Sequence, residues 1–173
     1  IDEGYEPGDL IRVYSSKEKY LGTGYFNPRS QIAVRMLTFR EEEITGSFFE
    51  QKIKEAVKLR QKFISPETDA YRVIHSEGDF LPGLTVDRYA DFLVLQIHTA
   101  GTEKWREAIV KSLLAEIPVR GLYEKIDKDW YTLEGLTGKD GAVIGEPPPE
   151  FIEVRENGKV FLVDVRHGQK TGF

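Results

Sequence analysis

Several groups of side chains in this sequence are spaced closely enough to do chemistry together. Tyr25-Phe26-Asn27-Pro28-Arg29-Ser30-Gln31, with Arg35 four residues on, combines aromatic rings, guanidinium groups and side-chain amides. Rings stack on bases, a guanidinium takes a phosphate and amides meet base edges, which is how unpaired RNA is read. The same residues also read as core aromatics and turn polars of a β fold. Glu77, Asp79 and Asp87 surround the turn Leu81-Pro82-Gly83. Two carboxylates there could act as general acid and base, and they could equally cap loop amides. His75, His98 and His167 lack the spacing of metal ligands and read as structural histidines in β-like segments. Gly22-Thr23-Gly24 and the run from Gly135 to Gly145 lack the strand-to-helix setting of a phosphate loop and read as turns. No catalytic residue and no metal ligand is assigned.

Overall charge restricts the partner classes. A net charge of −5 argues against indiscriminate phosphate binding, so contact with nucleic acid requires a local basic patch on an acidic body. Arg29 with Arg35 is one such patch. Lys54, Lys58 and Lys62, at helical spacing, form the other, either a solvated face or a contact for an RNA backbone. The absence of cysteine removes disulfides, thiol nucleophiles and Cys-ligated zinc from this segment and fits a cytoplasmic protein. No stretch reaches the roughly 18 apolar residues of a membrane span, so no membrane partner is expected.

The elements that must position these groups fall into three parts. Residues 1–40 read as short strands, Leu10–Tyr14, Tyr20–Phe26 and Gln31–Leu37, a fragment of a small β-barrel. Residues 41–150 read as an α+β unit. Ser47 and Glu50 match a capping box, ahead of a helix whose seam is Phe49, Ile53, Ala56, Val57, Phe63 and Ile64. Strands follow at 71–75, 84–87 and 92–98, and then a helix from Thr102 to Glu116, capped by Thr102, with Trp105, Ile109 and Leu113 buried. Gly121–Lys125 and Trp130–Leu133 supply further strands, and Gly145-Glu146-Pro147-Pro148-Pro149 is a stiff connector. Residues 151–173 form a hairpin about Asn157-Gly158, with apolar side chains on both faces. This ribbon reads as the cover of a further domain, with the chain cut short after it.

Four motifs in order carry a resemblance: Gly22–Leu37, Glu77-Gly-Asp-Phe-Leu-Pro-Gly-Leu-Thr-Val-Asp-Arg-Tyr89, Glu134-Gly-Leu136 and Gly168-Gln-Lys-Thr-Gly-Phe173. Together they resemble the large-subunit ribosomal RNA cytosine-C5 methyltransferases that carry an N-terminal PUA domain. The resemblance implies a partial PUA-like RNA-binding barrel at 1–40, a central strand-strand-helix-strand-strand domain and the entry to a Rossmann-like methyltransferase domain missing from this chain. It implies S-adenosylmethionine as cofactor, with Gln169, Lys170, Thr171 and Phe173 near it, and ribosomal RNA as partner, with Tyr25, Asn27, Arg29 and Arg35 as its contacts. Cytosine-C5 chemistry needs a thiolate that adds to C6 of the base. This segment has none, so it is expected to be inactive alone while its parent is an enzyme. The alternative is a non-catalytic RNA-binding or self-association module, a homodimer built through the central sheet and the hairpin.

Overall fold

The computed structural model describes residues 4–168. Strands β1 (Asp9–Tyr14), β2 (Tyr20–Phe26) and β3 (Val34–Thr38) form an antiparallel meander in the order β1-β2-β3. The last strand starts at Val34, three residues later than the alternation from Gln31 suggests. Among the described residues the sheet is an open three-stranded layer. Its register shifts between Thr23 and Gly24, beside two glycines that bring β2 close to β3: a Cβ at Gly24 would lie 2.3 Å from the Arg35 carbonyl oxygen.

Helix α1 runs Gly46–Phe63. The capping box is not formed. Thr45 is the N-cap, its side chain caps no amide, and its hydroxyl instead meets that of Ser47 at 2.8 Å. Phe49, Ile53, Ala56 and Val57 are buried as their spacing requires, whereas Phe63, in the last position of the helix, is 71% exposed.

The core is a five-stranded sheet, β4-β5-β6-β7-β8, made of β4 (Ala70–His75), β5 (Leu84–Tyr89), β6 (Phe92–Ile97), β7 (Gly121–Glu124) and β8 (Gly141–Gly145). The β6–β7 pair is parallel and the others are antiparallel. The crossover between β6 and β7 is helical, α2 (Ala100–Lys104) and then α3 (Arg106–Glu116). Thr99, not Thr102, caps it and accepts from the Thr102 amide. Trp105 sits at the break between the two helices and stacks on Phe49 of α1 at 4.9 Å, while Ile109 and Leu113 are fully buried. Helices α1 and α3 therefore close one apolar cluster with Val73, Leu93, Leu95 and Leu122 of the sheet.

Two further differences concern residues 128–145. Trp130–Leu133 is not a strand but part of helix α4 (Lys128–Glu134). Asp127 caps two amides at its start, and Gly135, at φ 75°, ends it in the left-handed region. The glycine-rich run expected to be turns contains the edge strand β8.

The closing hairpin, β9 (Ile152–Glu156) and β10 (Lys159–Val163), turns on Asn157 and Gly158 at φ 50° and 76°. Ile152 and Val154 are buried with Ala70, Tyr89, Phe92 and Val94. Asp69 holds the ribbon through Arg155, accepting from its amide at 2.7 Å and donating to its carbonyl at 2.9 Å. The connector is pinned as well, with Pro148 accepting from Arg166 and Glu146 paired to Arg120. One arm of the ribbon thus belongs to the central core. The other, β10, shows Val160 and Leu162 to solvent.

Candidate nucleic-acid interface

The N-terminal sheet is fixed to the central unit by groups that the sequence offers at great separation. Tyr25 is 3% exposed and lies directly against Gly101 at the start of α2, where a Cβ would stand 2.0 Å from its ring. Burial raises its hydroxyl pKa, opposed by a hydrogen bond with Thr102. Asn27, 6% exposed, donates its Nδ2 to Glu134 Oε2 at 2.6 Å. The same carboxylate oxygen accepts from the Ala100 amide at 3.2 Å, so one buried acid joins the first sheet, α2 and α4. At the rim, Lys104 pairs with Asp9 at 2.5 Å.

Two of the four candidate RNA contacts are therefore inside the protein. A ring packed against backbone has no face left for a base, and an amide committed to a buried carboxylate cannot read one. Tyr25 and Asn27 hold the two parts together and present no surface to RNA.

Arg29 and Arg35 stand differently. The Asn27 side chain accepts from the Arg29 amide at 3.0 Å, which turns the β2–β3 loop toward the end of α4. Arg29 is exposed, with its guanidinium against Gly135. Arg35 Nη1 donates to Glu77 Oε1 at 3.0 Å, and Arg35 Nε is buried without a partner. Arg35 and Trp130 both line two adjoining cavities. The smaller, about 110 Å³, is bordered by Arg29, Gln31, Ile32 and Leu133. The larger, about 310 Å³, is bordered by Glu77, Thr85, His98 and Thr99. Trp130 is 44% exposed and meets His98 edge-on at 6.5 Å. Burial holds the His98 pKa below its usual value against the pull of Asp127 and so favours the neutral ring. Burial also works against the Glu77 charge. Hydrogen bonds from Ser76 and the backbone, with the Arg35 charge, outweigh it and keep that carboxyl below the ordinary range.

Sequence reasoning missed Trp130 as a site residue because it read the segment as a strand. The available signal was the Asp127 cap and Gly135 stop, which put Trp130 and Leu133 on one exposed helical face with Tyr131 and Glu134 buried on the other.

The acid cluster is structural in its contacts. Asp79 takes both Arg60 guanidinium nitrogens, at 2.5 and 2.7 Å, and the His75 amide at 2.6 Å. Asp87 takes Arg72 at 2.8 and 3.1 Å. Carboxylates held this way cap and brace the turn. The lysine row on α1 is outside the cleft, with Lys58 and Lys62 exposed. Among the described residues there is no group of three potential metal ligands and no helix long and apolar enough to cross a membrane. Gln169, Lys170, Thr171 and Phe173 lie outside the described residues.

Comparisons with known proteins match both the N-terminal sheet and the α+β unit. Residues 1–39 match a PUA-like domain family. Across nearly its whole length the chain is similar to proteins named ribosomal RNA large subunit methyltransferase I. It is 42% identical to that of Shewanella denitrificans over 97% of this chain and 43% of the relative. To that of Photobacterium profundum it is 39% identical, over 99% of this chain and 44% of the relative. The chain thus spans less than half the length of the curated relatives it matches. Among solved structures, a protein of Streptococcus mutans described as a SAM-dependent methyltransferase superposes with a TM-score of 0.79 at 23% identity, over 96% of this chain and 43% of that one. Another, described as a methyltransferase complexed with SAH, gives 0.80 at 23% identity, over 99% and 43%. These two establish a shared fold.

Proposed function

We propose that this chain is the RNA-holding and substrate-orienting part of an S-adenosylmethionine-dependent ribosomal RNA methyltransferase that acts on C5 of cytosine, in the cytoplasm. The observation that carries the reading is the meeting of Arg29, Arg35 and Trp130, from a loop, a strand and a helix, in one cleft of an acidic chain. The names of the relatives support ribosomal RNA as the partner and a methyltransferase as the whole protein. The thiolate that such chemistry needs belongs to another part of that protein, since this chain has no cysteine.

S-adenosylmethionine supplies the methyl group when bound. The described residues lead toward its proposed site without forming a cradle for it. Asp164 accepts from the amides of Arg166 and His167, and Lys125 Nζ donates to the Val165 and Gly168 carbonyls at 3.2 and 2.6 Å. This anchored turn ends at Gly168, which directly precedes in sequence Gln169, Lys170, Thr171 and Phe173, the proposed cofactor contacts.

The test is fluorescence anisotropy of the chain with large-subunit ribosomal RNA fragments over a salt series. Binding is expected to weaken with salt, Arg29→Ala to reduce the log–log slope by about one, and Arg35→Ala to weaken binding at every salt concentration. Equal binding by both variants overturns the assignment. The exposed apolar residues Val160 and Leu162 of β10 favour a second reading, self-association through the hairpin. A dimer in sedimentation that is indifferent to RNA would support it over the first.

A further inference from the structure

The two cavities joined at Arg35 and Trp130 have a combination of features that a general phosphate-binding surface does not need. Their wall is an exposed indole, met edge-on by the His98 ring. Around it stand a guanidinium with a buried, unpartnered Nε and a carboxylate of which Arg35 takes only one oxygen. Arg29 lies at the outer rim. The larger cavity, about 310 Å³, is at the small end of the range of ligand pockets, about 300 to 1,000 Å³. That is room for one nucleotide unit, and too little for a stacked pair.

The rim also selects against a duplex. Glu77 is largely exposed beside Arg35, so two closely spaced backbones would meet an acid next to that arginine. A single extruded base meets it favourably, because its amino group can donate to the largely exposed Glu77 carboxylate while an adjacent ring acceptor takes an Arg35 donor. Cytosine, adenine and guanine offer an exocyclic amino group, and uracil does not.

We propose that this interdomain cleft captures one unpaired, amino-bearing nucleotide of the bound RNA, its base stacked on Trp130, its edge read by Glu77 and Arg35, and its phosphate at Arg29. This rests on the RNA-binding reading above and names the form of RNA it prefers. The captured nucleotide is a grip on the substrate rather than the base that is modified, since no cysteine lines the cleft to add to its C6.

The experiment compares the chain with its Trp130→Ala, Trp130→Phe and Glu77→Gln variants. The probes are single-stranded UUCUU and UUUUU, a fully paired RNA hairpin and free CMP. Trp130 is exposed, so thermal unfolding of the Ala variant is expected to match the parent. Losing the stacking ring is expected to weaken UUCUU binding about tenfold, to leave hairpin binding unchanged and to be largely rescued by Phe. Glu77→Gln is expected to erase the preference for UUCUU over UUUUU. If Trp130→Ala binds UUCUU like the parent while both bind ribosomal RNA, the pocket is refuted and the RNA reading stands. If the parent binds none of the RNAs, both fall. Free CMP binding as tightly as UUCUU would make this a small-molecule site and overturn the proposal.

Discussion

The buried contact between Asn27 and Glu134 is the joint that makes the cleft, and its strength can be worked out from its geometry. Glu134 is 2% exposed, and its Oε2 accepts from Asn27 Nδ2 at 2.6 Å and from the Ala100 amide at 3.2 Å. A hydrogen bond to a charged group contributes about 1.5–3 kcal/mol, and an orphaned buried donor costs about 1–3 kcal/mol. Asn27→Ala removes the first bond and also the acceptor of the Arg29 amide, for a loss of about 2.5–6 kcal/mol. Glu134→Ala removes the bond and orphans the Ala100 amide, for about 2.5–6 kcal/mol. In the double variant the Asn27–Glu134 bond is lost once instead of twice, so the coupling energy should be about 1.5–3 kcal/mol. Urea unfolding of the parent, both single variants and the double variant, followed by circular dichroism, measures it. Independent sites add to within about 0.5 kcal/mol. A coupling below that limit would mean that the first sheet is not held by this joint.

Two other expectations follow from local structure. Phe80 sits at φ 57°, where a bulky residue is strained by about 1–2 kcal/mol, and its ring is exposed over Lys52 at 5.1 Å. Phe80→Gly should therefore raise the urea midpoint despite losing that contact, and a lowered midpoint would show that the ring stabilises more than the backbone costs. His98 has a folded pKa below its unfolded value, so the unfolded chain binds the extra proton first. Its contribution to stability is present above about pH 6.5 and is lost as pH falls through the lower, folded value. His98→Gln should flatten the decline of the urea midpoint between about pH 7 and 5, and an unchanged decline would contradict the burial of the neutral ring.

What the sequence made legible was local. Asn157-Gly158 could be read as a hairpin because both residues must take positive φ, and Ile109 with Leu113 as a buried seam because their spacing allows little else. Helix α4 was hidden by β-prone aromatic residues whose helical state depends on distant partners. Tyr131 reaches Glu124 at 2.9 Å, and Glu124 is already held by Arg106 of α3. Strand β8 was hidden by the glycines at its two ends, of which Gly145, at φ 70°, also makes a close approach: a Cβ there would stand 2.2 Å from the Arg120 carbonyl oxygen. At the candidate site the residue types were legible and their exposure was not. Whether Tyr25 and Asn27 face solvent or core is decided by Gly101 and Glu134, and no local pattern encodes a contact between Asn27 and a residue 107 positions away. Of the arginines in the same motif, Arg29 stayed at the surface because the loop turns it past the end of α4, whereas Arg35, on β3, is only 16% exposed and lines the cleft.

The central claim is that RNA lies in the cleft between the N-terminal sheet and α4. Ultraviolet cross-linking of the chain to a large-subunit ribosomal RNA fragment, with the modified peptides located by mass spectrometry, tests it most directly. The account predicts adducts on the peptides carrying Arg29 to Arg35 and Trp130, reduced in the Arg29→Ala variant. Adducts confined to the Lys54, Lys58 and Lys62 face of α1, or to the β9–β10 hairpin, would contradict it.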